Sequence, residues 1–457
     1  MRPSPASRRL GRRLDAALAR APRGASIGVA VLSGATGETL YARNALRPLV
    51  PASNAKIFTV GAALHWRGSN FAFETEVLAA GPLASGTLKG SLVLRGGGDP
   101  SLTTEDLWGL VLDLEALGLR AVAGDLIVDD SAFDRVQAPA AGDARYGGRP
   151  YGAYTSALTS NFNTLAVEIA PGPRSGAPAR VVTVPPMGDL RVENRTRTTS
   201  ARGGTAAVKV RLSESKEGGV TGVVTVSGPV PPGGPPRRVW RAVDEPALLT
   251  GLLFKELLRR ADILLEGSVR RGRAQGGQRR LAVRKSPPLG VLLRDVGKRS
   301  NNLFAEQILK ALSPEKPGST RAGLGSVMRW LAGIGIDTAG MKLADGSGLS
   351  RNNRVTAMQL ARVLRASARN PRTGAEFRSA FAIAGTDGTL KRRLGELKGR
   401  ARGKTGYLSG VSTLSGWVTT RGGGESFFAI LGNGIGPDPG PARALQDRIV
   451  RIIAEEG

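Results

Sequence analysis

The sequence predicts an α/β fold in which the two ends of the chain form one sandwich around a long, β-rich insertion. Helical and strand-like hydrophobic patterns alternate at both ends, whereas short β-branched runs separated by Gly, Pro and Asp fill the middle. With 457 residues, the chain is also longer than a single core usually supports, so we expect two or three domains.

At the N-terminal end, leucines at helical spacing over 9–21 predict a helix, and alternating apolar residues at 27–31 predict a strand. A glycine-containing turn leads to a second strand at 39–42, and an apolar helix follows from Ser53. At the C-terminal end, three strands followed by an amphipathic helix are predicted at 404–407, 414–420, 426–431 and 445–453.

The middle of the chain carries the inserted material. Its clearest strand-like runs lie at 88–94, 181–184, 207–212 and 219–226. The proline-rich stretch 229–236 and the polar stretch 271–278 are the best linker candidates. We therefore expect one or more β-rich domains between the two halves of the sandwich.

The composition excludes several classes of function. A net charge of +28 points to an anionic partner, but the basic stretch 270–280 lacks the interleaved aromatic residues that stack on bases, so we do not expect nucleic acid. The absence of cysteine excludes disulfides, thiolate nucleophiles and Cys-type zinc sites, and a single histidine excludes a His-rich metal centre. We expect neither a metal nor a cofactor.

The first 25 residues contain several arginines but no apolar run of the length found in signal peptides. No stretch of the sequence approaches the roughly 18 consecutive apolar residues of a transmembrane helix. On sequence alone, we therefore predict neither an export signal nor a membrane span in this chain.

Ser53 and Lys56 open the apolar helix in an S-x-x-K run. Residues three apart share a helix face, so the two side chains can touch. A lysine held against an apolar helix near another cation favours its neutral form and can take the serine proton. The only histidine, His65, cannot replace it because it lies twelve residues further along the same helix, roughly 18 Å away. We expect His65 to contribute packing.

Two further runs carry candidate chemistry, Ser-Asn-Asn at 300–302 and Lys-Thr-Gly at 404–406. Alone, the Ser-Asn-Asn run is also consistent with a simple helix cap, as is Ser53. The Lys-Thr-Gly run alone is also consistent with a simple turn before a strand. In the order S-x-x-K, S-x-N, K-T-G, however, the three match the motif set of penicillin-binding proteins and class A β-lactamases. The order and the helix or strand context of each run favour the functional interpretation.

Beyond these motifs, five runs carry a resemblance to a known family: 94–100 (LRGGGDP), 124–133 (beginning GD and ending DDSAF), 344–350 (ADGSGLS), 384–390 (AGTDGTL) and 403–406 (GKTG). Over nearly its whole length, the sequence resembles the class C low-molecular-mass penicillin-binding proteins, which are D-Ala-D-Ala carboxypeptidases and endopeptidases. The long gap between Ser53 and Ser300 agrees with the insertions of that family. A small-molecule esterase or a catalytically weak wall-binding protein are the alternative functions.

The resemblance implies a β-lactamase/transpeptidase-like α/β sandwich with two inserted, largely β domains. The predicted catalytic domain comprises residues 1–80 and 281–457. The first inserted domain is predicted at 81–170 and 245–280, and the second, β-rich domain at 171–244.

The resemblance also implies the roles of the site residues. Ser53 would attack the carbonyl between the terminal D-alanines, Lys56 would take its proton, and Ser300 would relay a proton to the leaving amine. Asn302 would bind the substrate amide. The implied substrate-binding residues are Lys404, Thr405, Gly406 and Tyr407: the first two hold the terminal carboxylate, and the backbone N–H groups of Tyr407 and Ser53 form the oxyanion hole.

The implied partners are peptidoglycan stem peptides and β-lactam antibiotics, which would acylate Ser53. Anionic wall polymers are a further candidate partner for the basic chain, and the implied location is extracytoplasmic, in the periplasm or cell wall. Rapid β-lactam hydrolysis is not expected, because class A β-lactamases need a glutamate soon after S-x-N and none occurs between Glu315 and Glu376.

The sequence departs from the family pattern at two places. Tyr407 follows Lys-Thr-Gly where relatives usually carry a small hydroxyl residue. The run Gly147–Pro150 occupies a region where relatives usually place acidic residues that meet the stem-peptide amine, and Asp143 is the only acid close by. Carboxylate binding and stem-peptide preference are the properties that these departures affect.

Overall fold

The computed structural model describes residues 5–136, 152, 154–200, 206–214 and 219–457. Gly147–Pro150 and Asp143, which bear on stem-peptide preference, lie outside the described residues. The helices are, in chain order, α1 (Pro5–Leu18), α2 (Lys56–Arg67), α3 (Thr104–Ala116), α4 (Pro246–Arg260), α5 (Leu289–Gly297), α6 (Asn302–Ala311), α7 (Thr320–Gly333), α8 (Ala357–Ala368), α9 (Gly374–Ser379) and α10 (Gly440–Glu456).

The strands of the first half of the chain are β1 (Ser26–Ser33), β2 (Thr39–Arg43), β3 (Glu74–Ala80), β4 (Leu83–Ala84), β5 (Thr87–Leu88), β6 (Ser91–Gly96), β7 (Ala121–Val122), β8 (Leu126–Asp129), β9 (Thr164–Ala170), β10 (Arg180–Val184), β11 (Leu190–Thr198) and β12 (Ala207–Glu214). Those that follow are β13 (Val220–Val230), β14 (Arg237–Ala242), β15 (Leu264–Leu265), β16 (Val269–Arg271), β17 (Arg279–Lys285), β18 (Ala382–Ile383), β19 (Ala401–Leu408), β20 (Val411–Thr419) and β21 (Glu425–Asn433).

The chain divides into two compact units. Unit 1 contains the residues up to 71 and from 288 onward, and unit 2 contains residues 72–287. Strands β3 and β17 pair with each other inside unit 2, so the unit boundaries lie outside both strands. The predicted domain boundary at 80/81 falls at the end of β3, and the one at 280/281 falls inside β17. The further division of the insertion into two domains stays a prediction.

Unit 1 is built on one antiparallel sheet with the strand order β18-β19-β20-β21-β1-β2. Central strands such as β1 are buried along nearly their whole length, because helices cover both faces of the sheet. Helices α1 and α10 pack on one face, where Leu14, Val29 and Ile449 share a core. Helix α8 packs against β1 and β21 on the other face. Both chain ends therefore build one α/β sandwich, as the sequence predicted.

Unit 2 consists mainly of sheets. Its strand orders are β16-β8-β6-β3-β17, β15-β7-β5-β4, β10-β9-β14 and β11-β13-β12, and helices α3 and α4 add to its core. The predicted runs of β-branched residues are strands here. The predicted linker 229–236 is shorter than expected, because β13 continues to Val230. Val230 is buried, so its side chain has a packing role that the proline-rich pattern concealed.

Candidate active site

Ser53 lies in a 3-10 turn, Ala52–Ala55, that leads directly into α2. Ala52 has a φ of 47°, a left-handed conformation that residues with a Cβ adopt rarely and usually where the surrounding structure enforces it. The Thr413 hydroxyl on β20 donates a 2.9 Å hydrogen bond to the Pro51 carbonyl and fixes the turn from the sheet. Helix α2 has no side-chain N-cap, so the Ser53 hydroxyl does not serve as one.

Lys56 is fully buried one helical turn beyond Ser53. Its Nζ atom donates to Ser53 Oγ at 3.1 Å, to Asn302 Oδ1 at 2.6 Å and to the Ser347 carbonyl at 2.6 Å. These acceptors come from three separate segments of the chain. The contacts use all three donors of an ammonium group and hold the amine against the serine oxygen.

Burial lowers the pKa of Lys56 to about 8, because the charged form loses its hydration. The negative charges of Asp345 and Glu306 oppose this shift and raise the pKa of Lys56 in part. A lysine with this pKa is uncharged in a useful fraction of molecules near neutral pH, as a general base requires.

The S-x-N run precedes and opens α6. Asn301 is the N-cap of this helix, and its side-chain oxygen accepts a 3.2 Å hydrogen bond from the Phe304 N–H. The capping role therefore belongs to the middle residue of the run and leaves Ser300 and Asn302 for other contacts. Ser300 has a φ of 60°, and its Oγ accepts from Lys404, whereas Asn302 contacts Lys56.

Lys404 is fully buried on β19. Its Nζ atom donates to Ser300 Oγ at 2.8 Å and to the Thr405 carbonyl at 2.8 Å. Burial, assisted by the positive charge of Lys56, holds the pKa of Lys404 well below its usual range. An incoming carboxylate would favour the charged form again, which suits a residue that binds the end of a peptide.

Gly406 brings the backbone of β19 directly alongside the serine turn. A Cβ at this position would overlap the Thr413 hydroxyl and lie 3.0 Å from the Ser53 backbone nitrogen, so only glycine permits the approach. Tyr407 is exposed, and the Arg443 guanidinium lies 5.4 Å from the centre of its ring. The oxyanion hole assigned to the N–H groups of Ser53 and Tyr407 stays a prediction.

The structure forms two hydrogen-bonded groups, Lys56 with Ser53 and Asn302, and Lys404 with Ser300 and the Thr405 carbonyl. The charge of Lys56 acts on Lys404 and links the two groups electrostatically. His65 lies at the exposed end of α2, edge-to-face with Trp66 at 4.7 Å between ring centres. The buried part of α2 ends at Leu64, so this packing contact of His65 lies outside the core.

Sequence reasoning did not foresee the Ser347 carbonyl or the Glu306 carboxylate. The run at 344–350 was noted only for its similarity to relatives, and Glu306 had no motif to mark it. Within the part of the chain that the structure describes, no group of three or more His, Asp or Glu side chains is placed to hold a metal, and no helix is long and apolar enough to span a bilayer.

An α/β sandwich that places a serine against a buried lysine, with a second serine and lysine paired beside them, defines the acyl-serine enzymes of the penicillin-binding class. The model of the D-Ala-D-Ala carboxypeptidase 3 (S13) family matches residues 10–456. A D-alanyl-D-alanine carboxypeptidase of an Actinomadura species is 37% identical over 454 residues, which cover 94% of this chain and 82% of that protein. The chain belongs to the D-Ala-D-Ala carboxypeptidase 3 (S13) family and is a serine-type carboxypeptidase.

Solved structures agree on the fold. The crystal structure of penicillin binding protein 4 (dacB) from Haemophilus influenzae matches with a TM-score of 0.83 at 24% identity, covering 97% of this chain and 99% of that one. The same protein complexed with a β-lactam matches with a TM-score of 0.79, at the same identity and coverage. The β-lactamase/transpeptidase-like fold predicted for the chain ends is confirmed.

Proposed function

We propose that the site cleaves the terminal D-alanine from peptidoglycan stem peptides through an acyl-Ser53 intermediate. Ser53 Oγ attacks the carbonyl between the two D-alanines while neutral Lys56 takes the hydroxyl proton. The observation that carries this step is the 3.1 Å contact between Lys56 Nζ and Ser53 Oγ in a buried setting. The bond from Ser53 Oγ to the carbonyl carbon forms as the carbonyl π electrons move onto oxygen, and the N–H groups of Ser53 and Tyr407 would stabilise the resulting oxyanion.

The second step is cleavage of the carbon–nitrogen bond. The leaving amine of D-alanine needs a proton, and we assign Ser300 to relay it. The proton that Lys56 took from Ser53 balances the one that the amine receives, while Lys404 keeps its charge and its hydrogen bond to Ser300 Oγ. Lys404 and Thr405 would hold the terminal carboxylate of the substrate through charge-assisted hydrogen bonds. Water then hydrolyses the ester and returns Ser53 to its starting state.

The same serine is the site at which we expect β-lactams to react. Their ring amide resembles the acyl-D-Ala-D-Ala end, and opening the ring would leave the drug attached to Ser53. The complex of the Haemophilus influenzae protein with a β-lactam, in a similar fold, supports this inference. A substrate in peptidoglycan also places the working enzyme outside the cytoplasmic membrane, in the periplasm or cell wall.

Anionic wall polymers are a proposed additional contact. The net charge of +28 would attract such polymers over distances of about a Debye length, roughly 10 Å at 0.1 M salt. Since this attraction is not directional, it would raise the local concentration of the enzyme at the wall and leave the choice of bond to the active site.

Incubation with a fluorescent penicillin, followed by mass spectrometry of the digested protein, tests the covalent step. We expect one drug molecule per chain, attached to the peptide that contains Ser53. A synthetic stem peptide ending in D-Ala-D-Ala should release one D-alanine per turnover, and a crosslinked dimer shows whether endopeptidase cleavage accompanies it. A label on another peptide would contradict the role of Ser53 as the nucleophile. Labelling without D-alanine release would contradict the proposed substrate.

The rate of acylation should depend on pH through Lys56. With a pKa of about 8, roughly one lysine in ten is neutral at pH 7, so acylation should become about tenfold faster towards pH 9 and then level off. The measurement is the second-order rate constant of penicillin acylation between pH 6 and pH 10. A rate that rises only above pH 10 would indicate a lysine with an ordinary pKa.

A further inference from the structure

A buried carboxyl pair lies behind the active-site lysine. Glu306 is on α6, one helical turn after Asn302, and Asp345 lies within the segment that connects α7 to α8; both are more than nine-tenths buried. Both charges act on Lys56, although neither carboxylate accepts a hydrogen bond from its amine. Burial of a carboxylate costs folding free energy unless the group is hydrogen-bonded, so the hydrogen-bond partners of these two side chains indicate their role.

Glu306 holds the loop that reaches Lys56. Its two carboxylate oxygens accept from the N–H groups of Gly346 at 3.2 Å and Ser347 at 2.8 Å. The carbonyl of the same Ser347 accepts the 2.6 Å hydrogen bond from Lys56 Nζ. The Glu306 carboxylate thus fixes Ser347, whose carbonyl orients the Lys56 amine.

Asp345 holds the remainder of the same loop. Its oxygens accept from the N–H groups of Gly348 at 2.8 Å and Ser350 at 2.6 Å, and from the Asn353 amide at 2.8 Å. At Gly348, where φ is 81°, a Cβ would overlap the Ala52 carbonyl in the serine turn. The loop therefore contacts both the lysine and the turn that carries the nucleophile.

The charges around Lys56 come from several elements. The charges of Asp345 in the loop and Glu306 on α6 raise the pKa of Lys56, whereas burial and the charge of Lys56 lower the pKa of Lys404 on β19. Ser53, Asn302 and Ser347 face the amine as neutral groups. Lys310, also buried on α6, lies one turn beyond Glu306 on the same helix face.

We propose that Glu306 and Asp345 are positioning residues for the proposed base Lys56: together they fix the loop whose Ser347 carbonyl orients the amine, and they supply the negative charge that faces it. This inference rests on the proposed role of Lys56 in acylating Ser53. Burial raises the pKa of Glu306 to about 7, with the charge of Asp345 as the next cause, so most Glu306 side chains are ionised at the pKa of Lys56, about 8.

The test is the pH profile of penicillin acylation in Glu306→Gln. Removal of a negative charge makes the ammonium form of Lys56 less favourable, so its pKa falls and the rising limb of the profile should move to lower pH, by roughly one unit. The plateau rate should also fall, about tenfold, because glutamine can accept only one of the two loop N–H bonds. Glu306→Asp keeps the charge, so its limb should stay near that of the wild type while its plateau falls.

The matched control is Glu425→Gln, which removes a carboxylate of unit 1 that pairs with Arg378 instead of facing the site. Its limb should coincide with that of the wild type. If Glu306→Gln lowers the plateau rate of acylation but leaves the rising limb at the wild-type pH, Glu306 has only a structural role and the inference is wrong. If that variant does not fold, Asp345→Asn carries the same test, with the same shift expected and an unmoved limb equally decisive. Failure of the wild-type protein to label at Ser53 would instead overturn the proposed function.

Discussion

Replacement of Ser53 by alanine is expected to abolish both penicillin labelling and D-alanine release. Without Oγ, Lys56 has no hydroxyl to deprotonate, and the hydroxyl of Ser300 is hydrogen-bonded to Lys404 instead. Loss of the single hydrogen bond that Ser53 Oγ accepts should cost only about 1 kcal/mol of folding stability. A thermal melt measured beside the labelling assay separates lost chemistry from lost folding.

Ser409→Ala is the matched control for this variant. Ser409 is an exposed serine at the end of β19, and its side chain takes no part in the network around Lys56. It should label at the wild-type rate. Labelling of Ser53→Ala with the mass of one drug molecule would place the nucleophile elsewhere, with Ser300 as the first residue to examine.

Replacement of Lys56 by alanine should slow acylation by roughly 10²- to 10⁴-fold, the range that general bases contribute. Lys56→Arg should be slowed as severely, because a guanidinium keeps the positive charge but does not release its proton near neutral pH. The two variants together distinguish a base from a cation that only orients Ser53. The measurement is again the acylation rate constant, with Ser53 labelling as the readout.

The control for lysine removal is Lys391→Ala, which deletes an exposed cation of unit 1. Near-wild-type acylation by Lys56→Arg would show that the positive charge suffices and that another group removes the serine proton. Loss of acylation in both lysine variants, with intact folding and an unaffected control, is the outcome we expect.

Much of the site could be predicted from the sequence because its side chains are tied to fixed spacings. The i, i+3 relation of Ser53 and Lys56 follows from helix geometry, and the strand character of the Lys-Thr-Gly run follows from its apolar neighbours. The cap at α6 shows the limit of such reasoning, since the motif alone did not tell which of its three residues would cap the helix. The structure gives that task to Asn301.

The parts that escaped prediction depend on tertiary contacts. The Ser347 carbonyl is a backbone group, and every residue has one, so no pattern marks it. In the sequence, Glu306 does not differ from any other polar residue of a helix. Its burial depends on a loop some forty positions later in the chain. The sequence also does not mark His65 as a surface residue, because helical periodicity does not tell where a helix leaves the core.

Strand β1 illustrates a cost of this architecture during synthesis. Its eight residues, buried along nearly the whole strand, pair with β21, which the ribosome adds almost four hundred residues later. Until then a hairpin of β1 and β2 would leave the β21 side of β1 unpaired, and an unpaired strand edge invites aggregation. Unit 2 has its own core and can fold during this wait, but the nucleophile turn lacks its sheet until β19 and β20 emerge. Reactivity towards penicillin would therefore report that synthesis has passed β20.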